Sequence, residues 1–379
     1  MLAGHRKRRV ERGAPEPPAA GQPHRAGLDS DSAGIRRSGA FDLLSGSTGR
    51  SPSMRQVHEG LISRSGGIPG HVMASDPYGD VPRAHPDGRT MAQAPPGRAQ
   101  RISSPSGSSC TVVEFGGCMT SFVDATGQER LYVSPSAVFD GKKAIRGGVP
   151  IIFPQFGPDG PLPNHGFART STWRFEGVRG PAAVFSLSDS PDTRAIWDFS
   201  FRLELAITLH AAGFDSALTV VNTGAEGFEF QALLHSYHAL ESAEGATVSG
   251  LAGVSFVDKL AAAAVVVQEG DIVIDREVDR IYRASPTGAP AEAVVVAKRS
   301  AGGKSIHVDV DAGEAAPELA PAPHEVVIWN PWVDKSASLG DLPDDGYKSF
   351  VCVEPGRVDG LHGLRPEASF VLTQRVRYE

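Results

Sequence analysis

The sequence predicts an all-β fold of two packed antiparallel sheets, preceded by a disordered N-terminal segment. Short apolar runs begin near residue 108 and are separated by glycine-rich or polar turns, as in a β-meander. The stretch 201–210 alternates apolar and polar residues with the period of two that marks a half-buried strand. No stretch sustains the 3.6-residue period of an amphipathic helix, so layers of sheet must enclose the core.

Residues 1–104 differ in composition from the rest of the chain. Gly, Pro, Ala, Ser and Arg dominate there, and large aliphatic residues are sparse. Such a segment cannot bury enough apolar surface to offset the entropy lost on ordering. We therefore expect residues 1–104 to be a disordered or targeting extension and residues 105–379 to form one folded domain. Acidic residues in the extension count against a transit peptide, and Met54, Met73 or Met91 could begin a shorter product.

Apolar runs predict the strands of that domain in order. They cover 111–115, 119–123, 131–134, 183–187, 201–210, 216–222, 228–237, 271–275, 293–297, 304–310, 325–330, 350–356 and 370–373. Within 228–237, Phe230 and Leu234 share one face and His235 lies on the other. If the first face is core, His235 points to the polar side of the sheet.

Three connections between these strands have a distinct composition. Residues 190–192 (Ser-Pro-Asp) predict a polar turn, and the Ala-, Pro- and Glu-rich residues 311–323 predict an exposed loop. Residues 330–347 carry several aspartates, but the spacing of a calcium-binding EF-hand loop is missing. We expect 330–347 to be an ordered loop that covers one end of the site.

Composition and charge argue against a nucleic-acid-binding, membrane-spanning or secreted protein. A net charge of −7 provides no overall cationic field for a nucleic-acid backbone. No apolar run approaches the roughly 18 residues that span a bilayer, and no apolar run follows the basic start as in a secretory signal. Cys110, Cys118 and Cys352 form no CxxC pair, which favours a reducing compartment. We expect a cytoplasmic protein without nucleic-acid or membrane partners, or an organellar one if the extension is a targeting signal.

A loop region rich in glycine and proline, from Lys143 to Trp173, carries candidate binding residues. They are Arg146, Asn164, His165 and Arg169. Glycine and proline fix unusual backbone paths, so such a loop can hold polar side chains at the mouth of a cavity. Two guanidinium groups suit a carboxylate or a phosphate. The alternative is a crossover loop whose arginines reach solvent.

Two further residues could exchange protons. Glu354 shares a predicted strand face with Phe350 and Cys352 and is followed by Pro-Gly. Apolar surroundings would favour its neutral form and make its carboxylate a better base. His235 lies on another predicted strand. The residues alone also allow a surface glutamate and a hydrogen-bonded sheet histidine.

Five sequence blocks, in this order, closely resemble the glucose-6-phosphate 1-epimerase (hexose-6-phosphate mutarotase) family. They are KAIRGGVPIIFPQFG, NHGFARTSTW, LLHSYH, REVDRIY and VIWNPWVDKSASLGDLPDDGYKSFVCVEPG, within about residues 110–379. That family belongs to the galactose-mutarotase-like superfamily. The resemblance therefore implies an antiparallel β-supersandwich.

The resemblance also implies roles for individual residues. His235 in LLHSYH and Glu354 in VCVEPG correspond to the catalytic histidine and glutamate. Substrate-binding roles are implied for Arg146, Asn164, His165, Arg169 and Asp279. Asn164 stands where many members have glutamine, so its amide has a shorter reach. His165 could instead brace the loop, and Trp173, Trp329 and Trp332 could stack on a sugar or pack in the core.

The reaction implied is the interconversion of the α and β anomers of a hexose 6-phosphate. Glu354 would take the proton of the C1 hydroxyl while His235, as imidazolium, protonates the ring oxygen, with the two groups at opposite edges of the pyranose. The ring opens and closes again on its other face. No redox step occurs, so we expect no cofactor or metal, and we expect a monomer. A mutarotase of unphosphorylated aldoses and a non-catalytic carbohydrate or sugar-phosphate binding protein remain open.

Overall fold

A computed structural model of the chain describes residues 73–75, 97–283, 292–296, 305–314 and 324–379. Most of the predicted extension 1–104 and most of the predicted loop 311–323 lie outside these ranges. The disorder or targeting role expected for the extension therefore concerns residues that the structure largely leaves undescribed.

The described residues form mostly strands. In chain order they are β1 (Met73–Ser75), β2 (Ala99–Ser103), β3 (Ser109–Val113), β4 (Cys118–Val123), β5 (Ile151–Ile152), β6 (Arg174–Arg179), β7 (Ala182–Ser188), β8 (Phe201–His210), β9 (Gly213–Asn222), β10 (Phe228–Leu234), β11 (Tyr237–Ala239), β12 (Thr247–Ser249), β13 (Ser255–Asp258), β14 (Ala264–Val267), β15 (Ile272–Val273), β16 (Val278–Tyr282), β17 (Glu292–Val296), β18 (Ser305–Glu314), β19 (Glu325–Asn330), β20 (Phe350–Leu364) and β21 (Ser369–Tyr378). The α-helices are α1 (Pro191–Ile196) and α2 (Trp332–Ser338), and 3-10 turns cover Ala168–Thr170 and Gly346–Ser349. Within the described ranges, neither α-helix is long and apolar enough to cross a membrane.

The strands form three antiparallel sheets, which confirms the predicted all-β class. Their orders are β1-β2-β3-β4, then β14-β13-β16-β19-β20-β10-β5 with β11 paired to β20, and β15-β12-β17-β18-β21-β9-β8-β7-β6. One apolar core joins Phe201, Phe214 and Phe370 of the nine-stranded sheet to Phe230 and Val353 of the eight-stranded sheet. The two large sheets therefore pack face to face, as in a sandwich.

The period-two pattern in β8 explains how this core is sealed. Every second residue from Phe201 to Leu209 is buried, and the residues between them are partly exposed. Burying one large apolar side chain stabilises the fold by about 1.5–3 kcal/mol, so five on one strand are a strong constraint on its facing. A slip by one residue would turn all five toward water.

Several connections differ from the sequence predictions. The strand β2 precedes the domain boundary predicted at residue 105, and it pairs with β3. Residues 311–314, predicted as loop, extend β18 because they continue its ladder with β21. The predicted strand 131–134 forms only isolated bridges, and the predicted loop 330–347 contains α2.

The polar turn predicted at 190–192 is the start of α1. The Ser190 hydroxyl accepts a hydrogen bond from the Thr193 N–H at 3.2 Å, and the Thr193 hydroxyl accepts one from the Ser190 N–H at 2.8 Å. This is a reciprocal capping box, and Pro191 occupies the first helical position, where its missing N–H costs nothing. The residues that suggested a turn are thus also a helix start signal.

Two glycines after Arg146 allow its loop to pass close to neighbouring backbone. Gly147 and Gly148 have φ angles of 116° and 69°, in the region that favours glycine. The Gly148 N–H donates to the Tyr132 carbonyl at 2.7 Å. A Cβ on Gly147 would collide with the main chain of Tyr132 and Val133. This close packing fixes the backbone position from which the Arg146 side chain projects.

We expect Gly147→Ala to lower the free energy of unfolding by roughly 2–4 kcal/mol, from backbone strain plus the steric clash. Gly127→Ala is the matched control, because Gly127 also has a positive φ of 85° but open space at its Cβ position. Urea unfolding followed by circular dichroism measures both. Equal losses in the two variants would show that the close approach is unimportant.

Candidate active site

One antiparallel register brings His235 and Glu354 together. Leu233 of β10 pairs with Gly356 of β20, and the pairing of β11 with β20 continues in the same register. His235 lies between the two paired segments and therefore opposite Glu354. Cross-strand partners point to the same face, which here is the face away from the core between the large sheets.

The two side chains meet in a buried contact. His235 Nδ1 lies 3.3 Å from Glu354 Oε1, and the side chains are 12% and 1% exposed. Nδ1 and both carboxylate oxygens nevertheless lack a hydrogen bond, because the contact is not aligned for one. Buried polar atoms without a partner are costly, so this corner of the site favours a ligand that satisfies them.

The short contact corrects one expectation. A pyranose ring cannot fit between two atoms 3.3 Å apart, so the pair cannot act from opposite edges of a sugar. The C1 hydroxyl and the ring oxygen are bonded to the same carbon. An acid and a base that act on these two atoms must therefore lie side by side, as His235 and Glu354 do.

Burial determines where the proton of this pair resides. Burial lowers the pKa of His235 well below its usual value, and the cationic Arg146 and Arg169 lower it further. Burial raises the pKa of Glu354 well above its usual value, and Asp279 adds to this. Both shifts place the shared proton on Glu354 in the free site. The imidazolium implied by the resemblance is disfavoured there, because desolvation and the two arginines outweigh the backbone hydrogen bond that favours it.

Aromatic rings fix the orientation of His235. The Tyr237 ring stacks on the imidazole with centroids 4.8 Å apart, and the Trp329 ring meets it edge-on at 5.8 Å. Of the three tryptophans considered from sequence, Trp329 alone contacts the pair. Trp173 is a buried core residue, and Trp332 packs against Tyr347.

Arg146 is held in place by two partners. Its Nε donates to Asp341 Oδ1 at 3.0 Å, and one terminal nitrogen donates to the Tyr237 hydroxyl at 3.2 Å. The side chain is 22% exposed, so the alternative of a fully solvated arginine is wrong. Asp341 lies in the segment 330–347, which thus touches the site as predicted.

Arg169 differs from Arg146 in having no carboxylate partner among the described residues. One terminal nitrogen donates to the main-chain oxygen of Asn164 at 2.7 Å, and its buried Nε has no hydrogen bond. Burial lowers the pKa of Arg169 to about 10, so it remains a cation at neutral pH. Asn164 itself is exposed, and the contact it makes here uses its backbone rather than its amide.

His165 both braces its loop and faces His235. It has a φ of 64°, and its Nδ1 accepts a hydrogen bond from the Gly157 N–H at 3.2 Å. The bracing role considered from sequence is therefore present. Burial lowers the pKa of His165 to about 3, so the ring is neutral and carries its proton on Nε2. Its ring centroid lies 6.1 Å from that of His235, so His165 is a direct neighbour of the pair.

Asp279 lies on β16, two strands from β20, and faces Lys259. Lys259 Nζ is 3.7 Å from Asp279 Oδ2 and lies 5.1 Å from the centroid of the Phe156 ring. Sequence reasoning missed Lys259, since a single lysine after a short strand carries no motif. It also missed Tyr237 and Asp341 as partners of Arg146, because their contacts span distant parts of the chain.

The structure thus brings six of the seven predicted residues, from strands and from the Gly/Pro-rich loop, within contact or electrostatic range of the His235–Glu354 pair. They are His235, Glu354, Arg146, Arg169, His165 and Asp279. The arrangement can move a proton between two buried groups, attract an anion and bond hydroxyl groups through neutral and charged donors.

Comparisons with known proteins agree with this fold. The family model described as aldose 1-epimerase matches residues 98–377. A protein of Cenchrus ciliaris named "Putative glucose-6-phosphate 1-epimerase" is 32% identical over 266 residues, which is 66% of this chain and 76% of that protein. A protein of Escherichia coli K12 with the same name is 31% identical over 269 residues, covering 69% of this chain and 84% of that protein.

Solved structures give the same picture. The crystal structure of a "putative mutarotase" from Salmonella typhimurium superposes with a TM-score of 0.61 at 28% identity, covering 74% of this chain and 91% of that one. A galactose 1-epimerase from Lactobacillus acidophilus has a TM-score of 0.53 at 14% identity, covering 82% and 99%. The second likeness is one of fold alone.

We expect the imidazoles of His165 and His235 to stay neutral in the folded protein well below pH 6.5, because burial lowers both pKa values. In the unfolded chain these histidines titrate near 6.5. As the pH falls below that value the unfolded chain binds protons that the folded protein does not, so each histidine lowers the free energy of unfolding of the protein by up to about 1.4 kcal/mol per pH unit. NMR titration of the ring nitrogens measures this, with His165→Gln and His235→Gln assigning the signals. A folded-state midpoint near 6.5 would contradict the burial argument, and the urea-unfolded chain is the control.

Proposed function

This chain belongs to the aldose 1-epimerase family, and on that premise we propose that it is a hexose-6-phosphate mutarotase acting on glucose 6-phosphate. The reaction converts the α anomer into the β anomer and back. Two relatives of at least 31% identity carry the name of that activity, which supports the choice of substrate.

The observation that carries the phosphate assignment is the state of Arg169. Arg146 is already neutralised by Asp341, and Lys259 lies beside Asp279. Arg169 has no such carboxylate among the residues that the structure describes, and its Nε is buried without a hydrogen bond. A guanidinium in this state has both the charge and the free donor that a phosphate oxygen satisfies.

The proposed chemistry uses His235 and Glu354 as an acid and base pair. Glu354 removes the proton of the C1 hydroxyl, the C1–O5 bond breaks as the aldehyde forms, and His235 gives its proton to O5. Rotation about the C1–C2 bond exposes the other aldehyde face, and the reverse transfers close the ring. Neither atoms nor electrons enter or leave, so the reaction needs no cofactor or metal.

Substrate binding supplies the protonation state that this sequence needs. In the free site the proton lies on Glu354, and the arginines are among the causes that lower the pKa of His235. A phosphate that pairs with Arg169 weakens that cationic field and so raises the pKa of His235. A small rotation that aligns Nδ1 with Oε1, now 3.3 Å apart, then lets the proton pass from Glu354 to His235. After ring opening, Glu354 again holds a proton and His235 is again neutral, as before the substrate bound.

His165 and Asp279 are proposed to bond sugar hydroxyls. Neutral His165 offers Nε2–H as a donor, and Asp279 offers an acceptor beside Lys259. The three cysteines are free and buried, which supports a reducing compartment such as the cytoplasm.

We expect Glu354→Gln to lower kcat for the anomerisation of glucose 6-phosphate by about 10²–10⁴-fold, because the amide cannot take up the proton. The side-chain shape is kept, so the fold should survive. NMR exchange between the α and β C1 signals measures the rate above the uncatalysed reaction. Glu204→Gln on the nine-stranded sheet is the control and should keep full activity.

Full activity of Glu354→Gln would remove Glu354 from the mechanism. If the unchanged protein binds glucose 6-phosphate without accelerating the exchange, the chain is a carbohydrate-binding protein and not a mutarotase.

We expect Arg169→Ala to lower kcat/KM for glucose 6-phosphate, with a loss of transition-state stabilisation of roughly 2–4 kcal/mol. Activity on glucose should change only a few-fold. The reason is that only the phosphorylated sugar presents an anion to this side chain. Arg174→Ala, which removes an exposed arginine paired with Glu176, is the control. Equal losses on both sugars would make Arg169 a structural residue, and no loss would favour an enzyme for unphosphorylated aldoses.

A further inference from the structure

We infer that His235, Cys352 and Glu354 form a three-ligand zinc site, whose occupation blocks proton transfer by the His235–Glu354 pair. The metal binding does not depend on the proposed reaction; the inhibition does. Among the described residues, these three side chains are the one group of His, Cys, Asp or Glu whose potential metal-ligand atoms lie close enough together to bind one ion.

The β20 ladder produces the convergence. Cys352 and Glu354 are two residues apart on one strand, so their side chains project from the same face. His235 lies opposite Glu354 in the register described above. The three donor atoms, Nδ1, Sγ and a carboxylate oxygen, all lie within 4.8 Å of one another.

These separations are close to those of a tetrahedral zinc centre. With zinc bonds of about 2.0 Å to nitrogen or oxygen and about 2.3 Å to sulfur, neighbouring ligand atoms are roughly 3.3–3.7 Å apart. The Nδ1 to Oε1 distance of 3.3 Å is already in that range. In such a centre sulfur lies about 3.5 Å from the nitrogen or oxygen ligand, so the sulfur here must approach by at most about 1.3 Å, which side-chain rotations can supply.

Unsatisfied atoms at this place point independently to a ligand. Glu354 is 1% exposed, and both of its carboxylate oxygens lack a hydrogen bond, as does Nδ1 of His235. Nδ1 and Oε1 are near neighbours that do not bond to each other. A metal ion bound to both atoms would satisfy each of them.

The donor chemistry selects zinc over the hard cations. A thiolate and an imidazole favour zinc, whereas magnesium and calcium prefer oxygen ligands. Zinc binds the thiol and the carboxyl in their deprotonated forms, so any protons that these two groups carry leave to solvent when the ion binds.

Three protein ligands leave a fourth zinc position. The exposed 12% of the His235 side chain indicates that this position faces the pocket, where water completes the shell. The same opening admits the ion. With Nδ1 and the carboxylate bound to zinc, neither group can accept or donate a proton.

Metal titration of the purified full chain tests the site. Competition with a chromophoric chelator should show one more tightly bound Zn²⁺ per chain in the unchanged protein than in Cys352→Ala. With Co²⁺ as the probe, a near-ultraviolet thiolate-to-cobalt band should appear in the unchanged protein and in the control Cys118→Ala, and be absent in Cys352→Ala. Cys118 is equally buried, and it contacts the Gly147 carbonyl rather than this cluster.

Identical stoichiometry and spectra in Cys352→Ala and the unchanged protein would overturn the proposal. If Cys352→Ala fails to fold, Glu354→Gln keeps the thiol and the side-chain shape and should weaken zinc binding at least tenfold; unweakened binding would also overturn it. In the anomerisation assay, zinc should inhibit the unchanged protein and leave Cys352→Ala active. Zinc binding without any catalysis would contradict the proposed function and leave the metal site standing.

Discussion

The site depends on one constraint, the antiparallel register that β10 and β11 share with β20. Leu233 opposite Gly356 and Tyr237 opposite Cys352 leave a single possible partner for His235. A shift by one residue would turn Glu354 to the other face, into the core between the two large sheets. The hydrophobic residues that alternate with the site residues therefore fix the position of the reactive pair as firmly as they fix the sandwich.

The same burial that positions the pair also governs its electrostatics. Removing water neutralises both groups and leaves their facing atoms without hydrogen bonds. Around them, Arg146 and Lys259 each form a salt bridge with a carboxylate, whereas Arg169 forms none within the part of the chain that the structure describes. A ligand with an anionic group and a pair of neighbouring hydroxyl and ether oxygens meets both needs at once. A zinc ion would satisfy only the unsatisfied atoms of His235 and Glu354, and not the Arg169 cation.

Much of the fold could be predicted from the sequence because its strands carry local signals. The limits of β8 and β19 agree with their period-two and apolar patterns. The helix α1 was missed because Ser-Pro-Asp is both a turn signal and a helix start, and the end of β18 was missed because an Ala- and Glu-rich strand is stabilised by its partner rather than by its own residues. The residues of the site were available from a family resemblance. Their spacing was not, since the 3.3 Å contact arises from pairing between segments more than a hundred residues apart.

The position of the pair within the eight-stranded sheet has a consequence for how the protein fails. Phe230 and Val353, near His235 and Glu354 in sequence, belong to the apolar core shared by both large sheets. Because these core residues lie on β10 and β20, the strands that position the pair, loosening either strand would also disturb the shared core. Thermal melting should therefore abolish the pocket and the tertiary packing in one cooperative transition, with no folded but locally open species in between.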